Sequence, residues 1–258
     1  MQNIAAATAA LLFALPARQR LSASDLVLPA DSFSNSYVLC QTLAALISPA
    51  SVAINSVAGP GVDLALATRN ISPTVVIASP ETLSSLHQAE TARLTSGLQK
   101  LAHSSQTSVM SAGRMPSSTL VSNLFGAQSS MSATPGKLRL ILVSERANTD
   151  APKLSSAMLC DLRVFTRARI CYALTASRVA GAVAQTNLYD YRMDTSGHSH
   201  FGVPVSSVEV KLANRNDKEV DENAPRGEIV VAGPSVAGGE AKLGVQGTFR
   251  EDCTLAYA

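Results

Sequence analysis

Apolar positions along the chain keep two rhythms. Short apolar runs at residues 25–29 (DLVLP), 51–55 (SVAIN) and 74–78 (TVVIA) read as strands. Between them, residues 36–47 and 61–69 place apolar side chains at helical spacing. This alternation is the pattern of a parallel sheet with crossover helices. Ser79, Pro80 and Glu81 then supply an N-cap, a proline at the first helical position and an acid in the first turn. They predict a helix running to about residue 101. Residues 102–134 are rich in Ser, Gly, Met and Thr and read as loop, with one short helix at 118–125. A loop that long is uncommon unless it is flexible or functional. The sheet pattern resumes with a strand at 137–143, a helix at 155–166, a strand at 168–172 and a short helix at 176–185.

Past Tyr191 the rhythm changes. Residues 193–200 form a polar stretch, 207–212 (SVEVKL) alternate with period two, 214–225 are a solvated turn, and 227–231 (GEIVV) return. That is an antiparallel hairpin. The expected fold is therefore α/β: a mostly parallel sheet with crossover helices over residues 1–195, and a small antiparallel β subdomain over residues 200–258.

The N-terminal run IAAATAALLFALPA, residues 4–17, has no basic residue before it and stops at Pro16. It lacks the charge of a signal peptide and the ~20 apolar residues of a membrane span. It reads as a buried helix, with Arg18 and Arg20 suiting its C-terminal end.

Composition narrows the classes. With 21 basic and 19 acidic residues the net charge is +2, which argues against a nucleic-acid-binding surface. Hydrophobic residues make up 46% of the 258 and charged ones 16%, so disorder is excluded. Six Phe, five Tyr and no Trp leave an aliphatic core. The four cysteines, Cys40, Cys160, Cys171 and Cys253, show no zinc spacing and read as buried free thiols in a reducing compartment.

Candidate chemistry gathers at strand ends, because ligands of open α/β sheets bind beyond the carboxyl ends of the strands. Ser144, Glu145, Arg146 and Ala147 follow one predicted strand, and Tyr172 to Thr175 close the next. A hydroxyl and an aromatic there suit a nucleotide. The alternatives are a surface Glu145–Arg146 ion pair, a packed Tyr172 and a capping Thr175. His198 and His200 read as a solvated loop, since two imidazoles lack the third ligand of a zinc site. His87 and His103 read as surface residues. No phosphate-cradling glycine loop, dinucleotide fingerprint, nucleophile elbow or zincin motif occurs.

Taken in order, five segments resemble the adenylate-forming (AMP-binding) superfamily, in a fungal long-chain acyl-CoA synthetase-like version. The segment QNI with its apolar helix resembles the helix after that family's phosphate loop, and DLVLPADSFSNSY its acyl-pocket strand and helix. KLRLILVSERA resembles its adenine-loop strand, YALTA its Tyr-Gly-x-Thr-Glu motif, and PRGEIVVAGPSV its Gly-Glu-Ile signature. The resemblance implies the family's N-terminal domain. It also implies fatty-acid activation through an acyl-adenylate, ATP and Mg as cofactors, CoA as co-substrate, and Ser144, Ala147, Tyr172 and Thr175 as nucleotide-binding residues. The implied setting is cytoplasmic, peripheral on an internal membrane, with adenylate and fatty acid as ligands.

The departures carry their own expectations. Ala176 stands where the family's metal-holding Glu would be, and Glu145 and Arg146 replace adenine-loop glycines, where they would crowd a base. Ser32 stands for the pocket His. Phe249 to Ala258 resembles the run-up to the ribose-binding Asp. The phosphate loop and the C-terminal lid with its catalytic Lys are expected to lie beyond the two ends, which makes this chain a truncated, catalytically silent version with no catalytic or metal residue of its own. The competing expectation is a dead homologue with a ligand-binding or protein-interaction role.

Overall fold

The computed structural model describes residues 1–56, 58–116, 137–193, 197–213 and 225–258. Two sheets organise it. The larger has seven strands in the order β2-β1-β3-β4-β5-β6-β7. These are β1 Leu26–Pro29, β2 Ser51–Val52, β3 Val75–Ala78, β4 Leu140–Arg146, β5 Arg169–Thr175, β6 Ala184–Gln185 and β7 Val203–Pro204. Strands β2 through β5 pair in parallel, and β6 and β7 add on antiparallel. The smaller sheet is antiparallel, in the order β11-β10-β9-β8. It is built from β8 Glu209–Ala213, β9 Arg226–Ala232, β10 Glu240–Phe249 and β11 Leu255–Tyr257. Glu209 faces Ala232 and Ala213 faces Glu228, so the predicted hairpin is antiparallel.

Helices cover the larger sheet, and local sequence sets where they start. In α2 Ser36–Ile47, Asn35 caps the Tyr37 amide; in α3 Leu64–Ala67, Asp63 caps Ala65 and Leu66. In α4 Pro80–Ala92, Ser79 caps Thr82, with Pro80 and Glu81 in the first turn. Ser155 caps α6 Ser156–Thr166, which ends on left-handed Arg167. Each cap answers an amide that the first helical turn leaves without a partner.

The predicted helix to residue 101 breaks. Helix α4 ends at Ala92, and α5 Gly97–Ser111 starts anew at Ser96, whose side chain and that of Gln99 form a reciprocal capping box. Consequently 102–111, expected as loop, is helix. The short helix expected at 118–125 and nearly all of the turn at 214–225 lie outside the described residues. The expected helix at 176–185 is absent: a turn through Gly181 leads into β6. Gly181 has φ +68°, and a Cβ there would lie 3.0 Å from that of Ala7, so α1 Gln2–Ala14 comes against this turn.

The core is aliphatic. Strands β3 and β4 are buried along nearly their whole length, as are Leu28 in β1 and Ile170 and Cys171 in β5. Burial on both faces is what crossover helices impose on parallel strands. Arg139 clamps the start of β1 with two hydrogen bonds to Asp25, at 2.7 and 2.8 Å. Burial pushes the Asp25 carboxyl up, but Arg139 and Thr74 outweigh it and hold it below the usual range. Cys40, Cys160 and Cys171 are buried free thiols; Cys253 is exposed, because it sits in the tight turn between β10 and β11 at φ +61°. Among the described residues no helix is long and apolar enough to cross a membrane.

Candidate functional site: a cavity at the strand ends

Strands β1, β3, β4 and β5 all end on one edge of the larger sheet, and a cavity of about 640 Å³ opens there. Asp31 and Ser32 follow β1, Ser79 and Glu81 follow β3, Ser144 and Arg146 come from β4, and Thr175 to Ala180 continue from β5. A second cavity of about 360 Å³ adjoins it. Arg146, Thr149, Ala176 and Ser177 line both, and Ala147, Asn148, Lys242 and Leu243 complete the second.

Two of the four predicted nucleotide-binding residues, Ser144 and Thr175, line the main cavity. Ser144 Oγ accepts a hydrogen bond from Asn35 Nδ2 at 3.1 Å, and Thr175 Oγ1 donates to the Glu145 carbonyl at 3.0 Å. Ala147 lines the second cavity. Tyr172 lines neither. The strands run further than predicted: β4 reaches Arg146 and β5 reaches Thr175, so 144–146 and 172–175 are strand rather than loop. Mid-strand, Tyr172 is fully buried.

Tyr172 belongs to a buried polar cluster on the other side of β4. Its hydroxyl donates to Glu145 Oε2, and His198 Nε2 lies 2.9 Å from the same oxygen. The His198 ring lies against Phe201 and Tyr257, which joins β11 to the larger sheet. Burial, then the Glu145 charge, pushes the Tyr172 hydroxyl well above its ordinary range, so it stays protonated and serves as donor. Glu145 therefore does not crowd the cavity, and it makes no surface ion pair with Arg146. Nor do 198 and 200 form a solvated loop. His200 is buried, accepting from the Gly202 amide on Nδ1, with Nε2 3.4 Å from Asp190.

His87 and His103 are not free surface residues either. From α4 and α5 they reach the two oxygens of Asp161 on α6, at 3.1 and 2.9 Å. His103 stacks on Phe165. Burial raises the Asp161 carboxyl, but the bonds from His103 and His87 outweigh it and bring it down to about 2.

The walls of the main cavity differ in sign. Asp31 and Glu81 stand at the ends of β1 and β3; Arg146 and Arg178 stand by β4 and β5. Burial, which its bonds to the Ser32 amide and Asn35 only partly offset, raises the Asp31 carboxyl, with Glu81 adding to the rise. Asp31, Arg178 and Lys242 carried no sequence signal, since only the fold brings β1, the turn after β5 and β10 together. On the β5 wall Ala176 offers no side-chain donor to a divalent cation, and Arg146 brings positive charge to the same rim; among the described residues no group of three His, Cys, Asp or Glu is placed to hold a metal ion.

An open, mostly parallel sheet with a cavity beyond its strand ends is the architecture of α/β proteins that bind ligands at that edge. The profile of the AMP-binding enzyme family matches residues 1–239, and the chain belongs to that family. No curated protein matches it significantly. Among solved structures it is similar to VinN (15% identity, TM-score 0.63), covering 100% of this chain and 55% of that one. It is similar to the O-succinylbenzoate coenzyme A synthetase of Bacillus subtilis in complex with ATP and magnesium ion (15%, TM-score 0.60; 100% and 45%). A putative long-chain-fatty-acid CoA ligase from Rhodopseudomonas palustris is a third (17%, TM-score 0.61; 100% and 54%). The chain thus spans about half the length of each of these structures, and at such identities the likeness is one of fold.

Proposed function

We propose that this chain is the AMP-binding part of an ATP-dependent acid–thiol ligase, and that the cavity at the ends of β1, β3, β4 and β5 receives the adenylate. The carrying observation is that cavity. Its volume of about 640 Å³ falls in the range typical of small-molecule sites. Its position beyond the strand ends is where a family member would hold a nucleotide. Ser144 and Thr175 line it, and Thr175 is fixed by its bond to the Glu145 carbonyl. In the parent reaction a carboxylate displaces pyrophosphate from ATP to give an acyl-adenylate, and a thiol then takes the acyl group as AMP leaves. A fatty acid as the carboxylate and CoA as the thiol rest on the resemblance to long-chain acyl-CoA synthetases.

What this chain's residues do in that reading is bind and orient. Positioning and electrostatics supply most of the catalysis at a phosphoryl centre. Ala176 has no side-chain donor to offer a metal ion.

Titration calorimetry with AMP tests the reading. Ser177 is exposed on the rim of both cavities, so Ser177→Trp fills the entrance without disturbing the core. The expected result is one AMP bound per chain, with at least tenfold weaker binding in Ser177→Trp. No AMP binding, or binding indifferent to Ser177→Trp, overturns it.

A further inference from the structure

The second cavity has a composition of its own. Arg146 and Lys242 line it together with the hydroxyl residues Thr149 and Ser177. Arg146 Nη2 donates to Ser177 Oγ at 2.8 Å, which holds the guanidinium at the rim shared with the main cavity. No carboxylate of the described residues lies within ion-pair distance of Arg146 or of Lys242. Lys242 comes from β10, next to the register shift between Lys242 and Gln246; Asn148 Nδ2 bonds the Leu243 carbonyl and ties that segment to the end of β4. Two cations are thus brought to one concave wall from two different sheets, and the Thr149 hydroxyl donates to the Arg146 carbonyl at 2.7 Å. A phosphate oxygen suits that set, since a guanidinium offers forked donors and an ammonium a compact charge.

We propose that Arg146, Lys242 and Ser177 form a phosphate site that binds the phosphate groups of a nucleotide, or free pyrophosphate, without a divalent metal. As a nucleotide site it rests on the adenylate reading above; as an anion site it stands on its own geometry. The side chain that replaces an adenine-loop glycine then supplies positive charge on the wall where Ala176 gives a cation nothing to hold. The carboxylates of the main cavity, Asp31 and Glu81, follow the ends of β1 and β3, away from the second cavity.

The experiment is calorimetry on the full chain with inorganic pyrophosphate and, separately, with AMP, each in EDTA and in excess Mg²⁺. The variants are Arg146→Gln and Lys242→Gln, and circular dichroism verifies that both exposed substitutions leave the fold intact. Pyrophosphate is expected to bind in EDTA at least as tightly as in Mg²⁺. Arg146→Gln should weaken it at least tenfold and Lys242→Gln threefold or more. Binding that needs Mg²⁺, or that ignores Arg146→Gln, overturns the site. Pyrophosphate held through Arg146 while AMP does not bind keeps this site and removes the adenylate reading. AMP bound with no effect of Arg146→Gln does the reverse, and absence of both ligands removes both.

Discussion

Glu145 and Arg146 are neighbours on β4 and serve opposite environments. Strand geometry sends successive side chains to opposite faces. Glu145 enters the buried junction, where Tyr172 and His198 both meet its carboxylate. Arg146 emerges at the rim of two cavities, with Ser177 as its hydrogen-bond partner. The inner residue has its charge consumed by structure. The outer one meets a hydroxyl and, among the described residues, no carboxylate within ion-pair distance. Two charged residues side by side in sequence are therefore no evidence of an ion pair when they lie on a strand.

The first test of this contrast has the largest expected effect. Glu145→Ala leaves the Tyr172 hydroxyl and His198 without their buried acceptor, at a cost of about 3 kcal/mol. Urea unfolding of the variant measures it. An unchanged midpoint would show that the junction cluster holds nothing together.

The next prediction sharpens the contrast with a second carboxylate, one about 30% exposed to water. Asp161 is held at about 2 against an ordinary 3.8, by His103 and His87 acting against its burial. A depressed folded-state value means stability that is present above pH 4 and lost as the pH falls through 2. The contribution at pH 5 is about 2 kcal/mol, since a tenfold change in proton affinity is worth about 1.4 kcal/mol. Asp161→Asn should lower stability by that order at pH 5 and flatten the wild-type loss between pH 4 and 2. Denaturant midpoints across that window read it, and equal acid slopes in the two proteins would count against the histidine clamp.

The smallest stability effect belongs to the outward residue. Arg146→Gln should shift the unfolding free energy by no more than about 0.5 kcal/mol, as for other exposed positions. A shift as large as that of Glu145→Ala would mean that Arg146 is structural and would erase the distinction.

Much of the frame is legible because local chemistry writes it. The Asn35, Ser79 and Ser155 caps mark helix starts, β-rich runs mark the buried strands, and period-two text marks the 207–231 hairpin. Boundaries are where local patterning misleads. Strands β4 and β5 run past their predicted ends at 143 and 172, since each hydrogen-bonds its neighbour as far as the Arg146–Thr175 pair, whatever the polarity of its last residues. The break at Ser96 is hidden by the helix-forming residues on either side of it, although its Ser96 and Gln99 capping box is a readable signal.

By itself the sequence determined the class: alternating strands and helices, an aliphatic core and an antiparallel tail, with the cavity at the strand ends. These follow from periodicity and caps, which act over a few residues. The tertiary structure decided which side chains reach that site. Ser144 and Thr175 arrive there, Tyr172 is turned inward to Glu145, and Lys242 joins Arg146 from a distant part of the chain. The physical reason is that a strand's facing is fixed by its pairing register and by what packs on each side, and both are settled only when distant segments meet.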